Sequence, residues 1–154
     1  KDKITHMCNV PFSDSEALIA IEAKTPMKVN VKKMKIENSK FGIVGVVRKM
    51  IAFHFKKKKE VLILGPSLCR RFDYKSCKET DDLKMQVDFT ACDYLNNFGL
   101  LIIGTSSKDE DNVYVINALN FKKQFKIRGH SIKSPHKLDK MPGGVSSIAV
   151  TLDN

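Results

Sequence analysis

The chain repeats itself, and that constrains its fold more than any single motif. Three segments can be set under one another. His6-Met7-Cys8-Asn9-Val10 leads to Leu18-Ile19-Ala20-Ile21; Ile51-Ala52-Phe53-His54-Phe55 leads to Val61-Leu62-Ile63-Leu64-Gly65; Thr90-Ala91-Cys92-Asp93-Tyr94 leads to Leu100-Leu101-Ile102-Ile103-Gly104. Each has a short run of alternating or mixed character, a polar turn, and a nearly continuous apolar run of the kind expected when both faces are covered. The second and third align without a gap, Phe53 over Cys92 and Gly65 over Gly104, while the first needs one extra residue. A fourth start lies at Ser146 to Asn154. The starts fall near residues 7, 51, 90 and 148, at spacings of about 44, 39 and 58. A unit of this size cannot bury its apolar faces alone, so neighbouring copies must stack.

Inside each unit a third strand is expected, at Val29 to Val31, Cys69 to Phe72 and Val113 to Ile116. A fourth, more polar strand is expected at Met34 to Ile36 and at Gln124 to Ile127. These assignments rest on β-branched and aromatic residues bounded by turn formers. Ser13 to Glu22 can also be written as a short helix capped by Ser13, but the aligned segments carry glycine and β-branched residues, which favours a strand. Four short strands every 40 to 45 residues is the spacing of propeller blades. The predicted fold is all-β: a partial β-propeller of about three four-stranded antiparallel blades plus the start of a fourth. The units run over about 4–40, 46–80, 87–130 and 145–154, the last incomplete, with 131–144 an inserted basic loop. Three units and a beginning cannot close a ring, so the chain reads as part of a longer propeller.

Composition narrows the function classes. A hydrophobic content of 42% excludes wholesale disorder. No apolar run approaches the length of a membrane helix, and Lys1-Asp2-Lys3 is not followed by an apolar signal segment. Cys8, Cys69, Cys77 and Cys92 show no C-x-x-C spacing and do not cluster with the four histidines, which argues against zinc and for a reduced intracellular compartment. The net charge of +10 favours an acidic partner. Lysines predominate, and they act as point charges rather than forked phosphate readers.

Two basic features stand out. Lys56, Lys57, Lys58 and Lys59 form the densest run; they read either as a site for an acidic partner or as a turn kept soluble by lysine. Ser131 to Gly144 carries Lys133, Lys137 and Lys140 with two prolines, and reads as a partner-docking arm or a linker. Asp81-Asp82 and Asp109-Glu110-Asp111 fall in turn-like polar stretches and suit solvated turns better than acid–base work. Gly42-x-x-Gly45 and Gly143-Gly144 lack the phosphate-loop pattern. No constellation supports a catalytic site, a cofactor or a metal.

The residues closing the units resemble the WD-repeat family of β-propellers. Phe72-Asp73 and Ile116-Asn117 stand where that family closes a unit with Trp-Asp. Gly129-His130 resembles the Gly-His that precedes the next unit, and Val145 to Leu152 looks like that unit's opening. No tryptophan occurs, Gly-His occurs once, and the first unit shows neither signature. The resemblance implies structural roles for Phe72, Asp73, Ile116, Asn117, Gly129 and His130 in turns and blade networks. It implies a non-enzymatic scaffold that mediates protein–protein contacts in a large intracellular, cytoplasmic assembly of cytoskeletal, ciliary or axonemal kind, with partners presenting acidic surfaces and no membrane. The alternative is an RNA-binding or ribosome-assembly module, nucleolar in location, that uses the basic loops.

Overall fold

The structure, a computed structural model, describes residues 3–22, 24–43, 45–55, 57–83, 88–95, 98–105, 113–118, 120–127 and 148. It is all-β. Sheet 1 holds β1 (Ile4–Asn9), β2 (Glu16–Ile21), β3 (Met27–Asn30) and β4 (Lys35–Lys40). Sheet 2 holds β5 (Lys49–Phe55), β6 (Lys58–Gly65), β7 (Leu68–Asp73) and β8 (Glu79–Asp82). Sheet 3 holds β9 (Phe89–Leu95), β10 (Leu100–Thr105), β11 (Val113–Asn117) and β12 (Lys123–Ile127). Each sheet is an antiparallel meander in chain order, and none closes on itself. This open stack agrees with the expected partial propeller. No helix of the described residues is long and apolar enough to cross a membrane.

The stretch that could be written as a helix is β2. Leu18 and Ile19 are adjacent and both buried, and they pair with Cys8 and Met7 of β1. Adjacent buried positions suit a strand covered on both faces. One strand went unforeseen. β8 is Glu-Thr-Asp-Asp, with no apolar residue to announce it, and it contains Asp81 and Asp82, which read as a turn in sequence. Charge pairs with β7 hold it: Arg70 lies 3.3 Å from Glu79 and 3.8 Å from Asp82, and Arg71 lies 3.0 Å from Asp81.

Two cores lie between consecutive sheets. The first joins Leu18 and Ala20 of sheet 1 to Met50, Ala52, Val61, Ile63 and Phe72 of sheet 2. The second joins Phe53, Leu62, Leu64 and Cys69 of sheet 2 to Cys92, Leu101, Ile103 and Ile116 of sheet 3. Sheet 2 is therefore covered on both faces, and successive residues of β6 serve alternate cores. This corrects the gap-free alignment of units two and three. Phe53 faces sheet 3, whereas Cys92 faces sheet 2, so the two are not equivalent. By strand pairing Val61 matches Leu101 and Ile63 matches Ile103, so their partners match as well, Ala52 with Tyr94 and Met50 with Cys92. A slip of one residue reverses the face of every side chain, and packing rather than residue identity decides it.

The sheets run in the same sense. His6 lies beside the Met50 backbone and Cys8 beside Ala52, so β1 and β5 are parallel neighbours. Arg48 Nη1 donates to the Phe89 carbonyl at 2.6 Å, tying the start of β5 to the start of β9. The crossover from β4 to β5 passes so close to the end of β6 that a Cβ on Gly65 would sit 2.6 Å from the Val46 carbonyl oxygen. Only glycine fits there without backbone movement.

Candidate functional site

The hairpin from the third to the fourth strand is the same turn in every sheet. Asn30, Asp73 and Asn117 end the third strands. Each uses Oδ1 to accept a backbone N–H three residues on: Lys33 at 2.9 Å, Ser76 at 2.7 Å and Asn120 at 3.3 Å. Four residues on, each turn places a non-glycine residue in the left-handed region: Met34 at φ +50°, Cys77 at +55° and Phe121 at +51°. A lysine follows every time, Lys35, Lys78 or Lys122. Asx side chains favour such turns because they hydrogen-bond the backbone locally. Phe72 and Ile116 are buried one position earlier, and Val29 stands in the corresponding place of sheet 1. Val29-Asn30 is thus the closing pair that sequence reasoning missed in the first unit.

Asp73 makes the strongest of these turns. Its Oδ1 also accepts the Ser76 hydroxyl at 2.7 Å, and the two Ser76 bonds hold its carboxyl below the usual range. Phe72 meets Phe41 edge-on at 5.6 Å, which anchors the turn in the first core.

The seams between sheets share a second device, a cation over an aromatic ring. Between sheets 1 and 2, Lys28 Nζ sits 4.2 Å from the Tyr74 ring centre. The Tyr74 hydroxyl donates to Glu16 at 3.0 Å. Burial, and then that bond, raise the phenol above its ordinary pKa. Phe12 packs edge-on against Tyr74 at 4.7 Å, and Lys59 Nζ lies 5.1 Å from the Phe12 ring. Between sheets 2 and 3, the Arg71 guanidinium lies 4.9 Å from the Phe121 ring. Arg71 is only 6% exposed. It also donates to the Ala118 carbonyl, to Asp81 at 3.0 Å and to Thr80 at 3.3 Å. Its Nε lies 3.3 Å from Glu60 Oε2, an ion pair without a well-aligned hydrogen bond. Burial raises the Glu60 pKa while Arg71 lowers it, and burial wins. Sequence reasoning did not find this network, because Glu60, Arg71 and Ala118 are far apart in the chain.

These contacts place the hairpin turns of all three sheets at one end of the stack. Lys57, Lys58 and Lys59 project there from the start of β6, all exposed. Lys32, Lys33, Lys35, Lys75, Lys78 and Lys122 are exposed at the same end. Several carboxylates beside them are held in internal bonds: Glu16 by Tyr74, Asp73 by Ser76 and Glu79 by Arg70. The end is therefore electropositive.

Lys56, Gly129, His130, Lys133, Lys137 and Lys140 lie outside the described residues, as does nearly all of the fourth start. Among the described residues, no group of three or more His, Cys, Asp or Glu side chains could hold a metal. No disulfide joins the four cysteines, and burial pushes Cys92 up to about 12 and Cys69 upward as well. Those two are packing groups rather than nucleophiles. The sequence matches no protein-family model and no curated protein.

Proposed function

We propose that this chain is a non-catalytic scaffold segment, a divergent WD-repeat-like partial propeller, whose hairpin end binds an acidic protein surface. The observation that carries the reading is the gathering of nine exposed lysines, from the turns of all three sheets, at one end of the stack. Turn loops held on a rigid β framework are the usual place for recognition. Lysines spaced over such a face give steering and salt-sensitive affinity rather than one specific contact. The cysteines, two buried and two half-buried with no disulfide between them, support an intracellular assembly. We place that assembly among cytoskeletal or axonemal scaffolds, on the strength of the family resemblance and the basic charge. The aromatic rings nearest the basic end, Phe12 and Tyr74, are already covered by lysines. That favours an acidic protein over single-stranded RNA, which needs open rings for stacking.

The test is a salt titration with a fluorescent polyglutamate peptide as probe. The wild type is expected to bind with an affinity that falls steeply as salt rises. Changing Lys57, Lys58 and Lys59 to Ala is expected to weaken binding several-fold and to flatten the salt slope. Equal affinity and an equal slope for the triple variant and the wild type would overturn the reading.

A further inference from the structure

Two buried polar atoms lie in the seam between sheets 2 and 3 without a hydrogen bond: Glu60 Oε2 of β6 and the Tyr94 hydroxyl of β9. Glu60 is only 4% exposed, and a buried carboxylate oxygen with no donor is costly. Arg71 gives it charge at 3.3 Å but no aligned bond. The three guanidinium nitrogens, Nε, Nη1 and Nη2, donate instead to Thr80, to the Ala118 carbonyl and to Asp81.

Tyr94 is the group placed to answer Glu60. It packs against the second core from sheet 3. Its ring centre lies 4.5 Å from that of Phe53, and Phe53 is the cross-strand partner of Glu60. Phenol and carboxyl therefore share one patch of the seam. Burial, and then the Glu60 charge, push the phenol up to about 12. The other charged groups that bear on Glu60 are Lys58 of β6, Arg71 and Asp73 of β7, and Asp81 of β8. Arg71 and Lys58 favour the carboxylate; Asp73, Asp81 and above all burial favour the acid. The β11–β12 hairpin brings the Phe121 ring and the Ala118 carbonyl, and Arg71 engages both. A neutral carboxyl can donate its one proton to a phenol oxygen and satisfy both groups. An ionised carboxylate needs more donors than the described residues of this patch supply.

We propose that Glu60 and Tyr94 form a proton-operated latch between sheets 2 and 3. With a proton on Glu60, its O–H donates to the Tyr94 hydroxyl oxygen and the seam is closed. When that proton leaves to solvent, a carboxylate short of donors remains between the sheets. Sheet 3 then loosens from sheet 2, while the seam between sheets 1 and 2 is unaffected. Burial raises the folded pKa of Glu60 above its unfolded value. The stabilisation is therefore full below the unfolded value and is lost as pH rises through the folded one. The latch goes beyond the binding role of the basic end and does not depend on it.

The experiment uses the full chain. Carbon NMR of the side-chain carboxyls gives the titration midpoint of Glu60 in the folded state, its signal assigned by its loss in Glu60→Gln. The wild-type midpoint is expected above 4.5. Tyr94→Phe removes the acceptor and is expected to lower the midpoint by about 0.7 pH units, the worth of one neutral hydrogen bond. Tyr114→Phe, which removes a different phenol from the same core, is expected to leave it in place. A second readout needs no variant. Amide protection in the wild type, corrected for intrinsic exchange, should fall in β9 and β10 as pH rises through the midpoint, while β1 and β2 keep theirs. An equal midpoint in the wild type and Tyr94→Phe would overturn the latch. So would a wild-type midpoint at or below 4.5, or a loss of protection shared equally by all three sheets. If Tyr94→Phe does not fold, the wild-type midpoint and exchange profile decide between these outcomes.

Discussion

Arg71 concentrates the physics of this chain in one side chain. It is buried between sheets 2 and 3, it stacks on Phe121, and it neutralises Glu60. Removing one partner of a buried pair leaves the other charge uncompensated, a loss of roughly 3–5 kcal/mol. Arg71→Met is therefore expected to destabilise the fold by about that amount in urea titrations. Adding Glu60→Gln to the same chain should recover a large part of the loss; no recovery would mean that Arg71 acts through packing alone. Glu60 also sets a pH signature. Burial raises its folded pKa above the ordinary value of 4.5. Between that value and the higher folded one, the native state holds more protons than the unfolded chain. Stability then falls as pH rises through the window. Glu60→Gln should remove this decline, read from urea midpoints measured across the window. Asp73 has the opposite sign. Its pKa is lowered from 3.8, so its contribution is present above that value and is lost as pH falls through the lower folded one. Little of this was legible beforehand. In Cys69-Arg70-Arg71-Phe72, Arg71 looks like a polar strand residue, and the carbonyl it reaches is Ala118, 47 positions away.

The hairpin is the element that the sequence half revealed. Phe72-Asp73 and Ile116-Asn117 could be aligned because an acceptor follows a large apolar residue in each. Val29-Asn30 escaped because its turn is Val31-Lys32-Lys33-Met34, which reads as a basic loop. Backbone geometry makes the equivalence plain: the same Oδ1 acceptor, the same left-handed fourth residue and the same following lysine recur in all three sheets. Asn30→Ala deletes one such acceptor bond and is expected to cost about 1 kcal/mol. Asn30→Asp keeps the acceptor and should be close to neutral. Chemical denaturation of the pair checks this, and an equal loss in both variants would show that the turn needs the amide rather than an acceptor. The same scale explains the alignment error. Ala52 and Ala91 invite superposition, yet Ala52 faces sheet 1 and by strand pairing its counterpart is Tyr94. Similar apolar residues occur on both faces of a doubly covered strand, so composition alone could not fix the register.

At the scale of the molecule, stability is divided between two seams that meet at sheet 2. Each seam is built from consecutive sheets, and within each sheet every pairing is between neighbours in sequence. Such stacks behave as a sum of unit and nearest-neighbour terms. Leu18 lies in the first seam and Leu101 in the second, both essentially inaccessible. Either change to Ala is expected to cost about 2–5 kcal/mol. The cost should be local. Leu18→Ala should lower amide-exchange protection in β1, β2 and β3 while β10 and β11 keep theirs, and Leu101→Ala should do the reverse. Strand β6 contributes Val61 and Ile63 to one core and Leu62 and Leu64 to the other. Its amides should therefore be the slowest to exchange in the wild type and should quicken in both variants. Exchange read by mass spectrometry separates this from a single cooperative core, in which either substitution would lower protection uniformly through all three sheets. Uniform loss would remove the nearest-neighbour description.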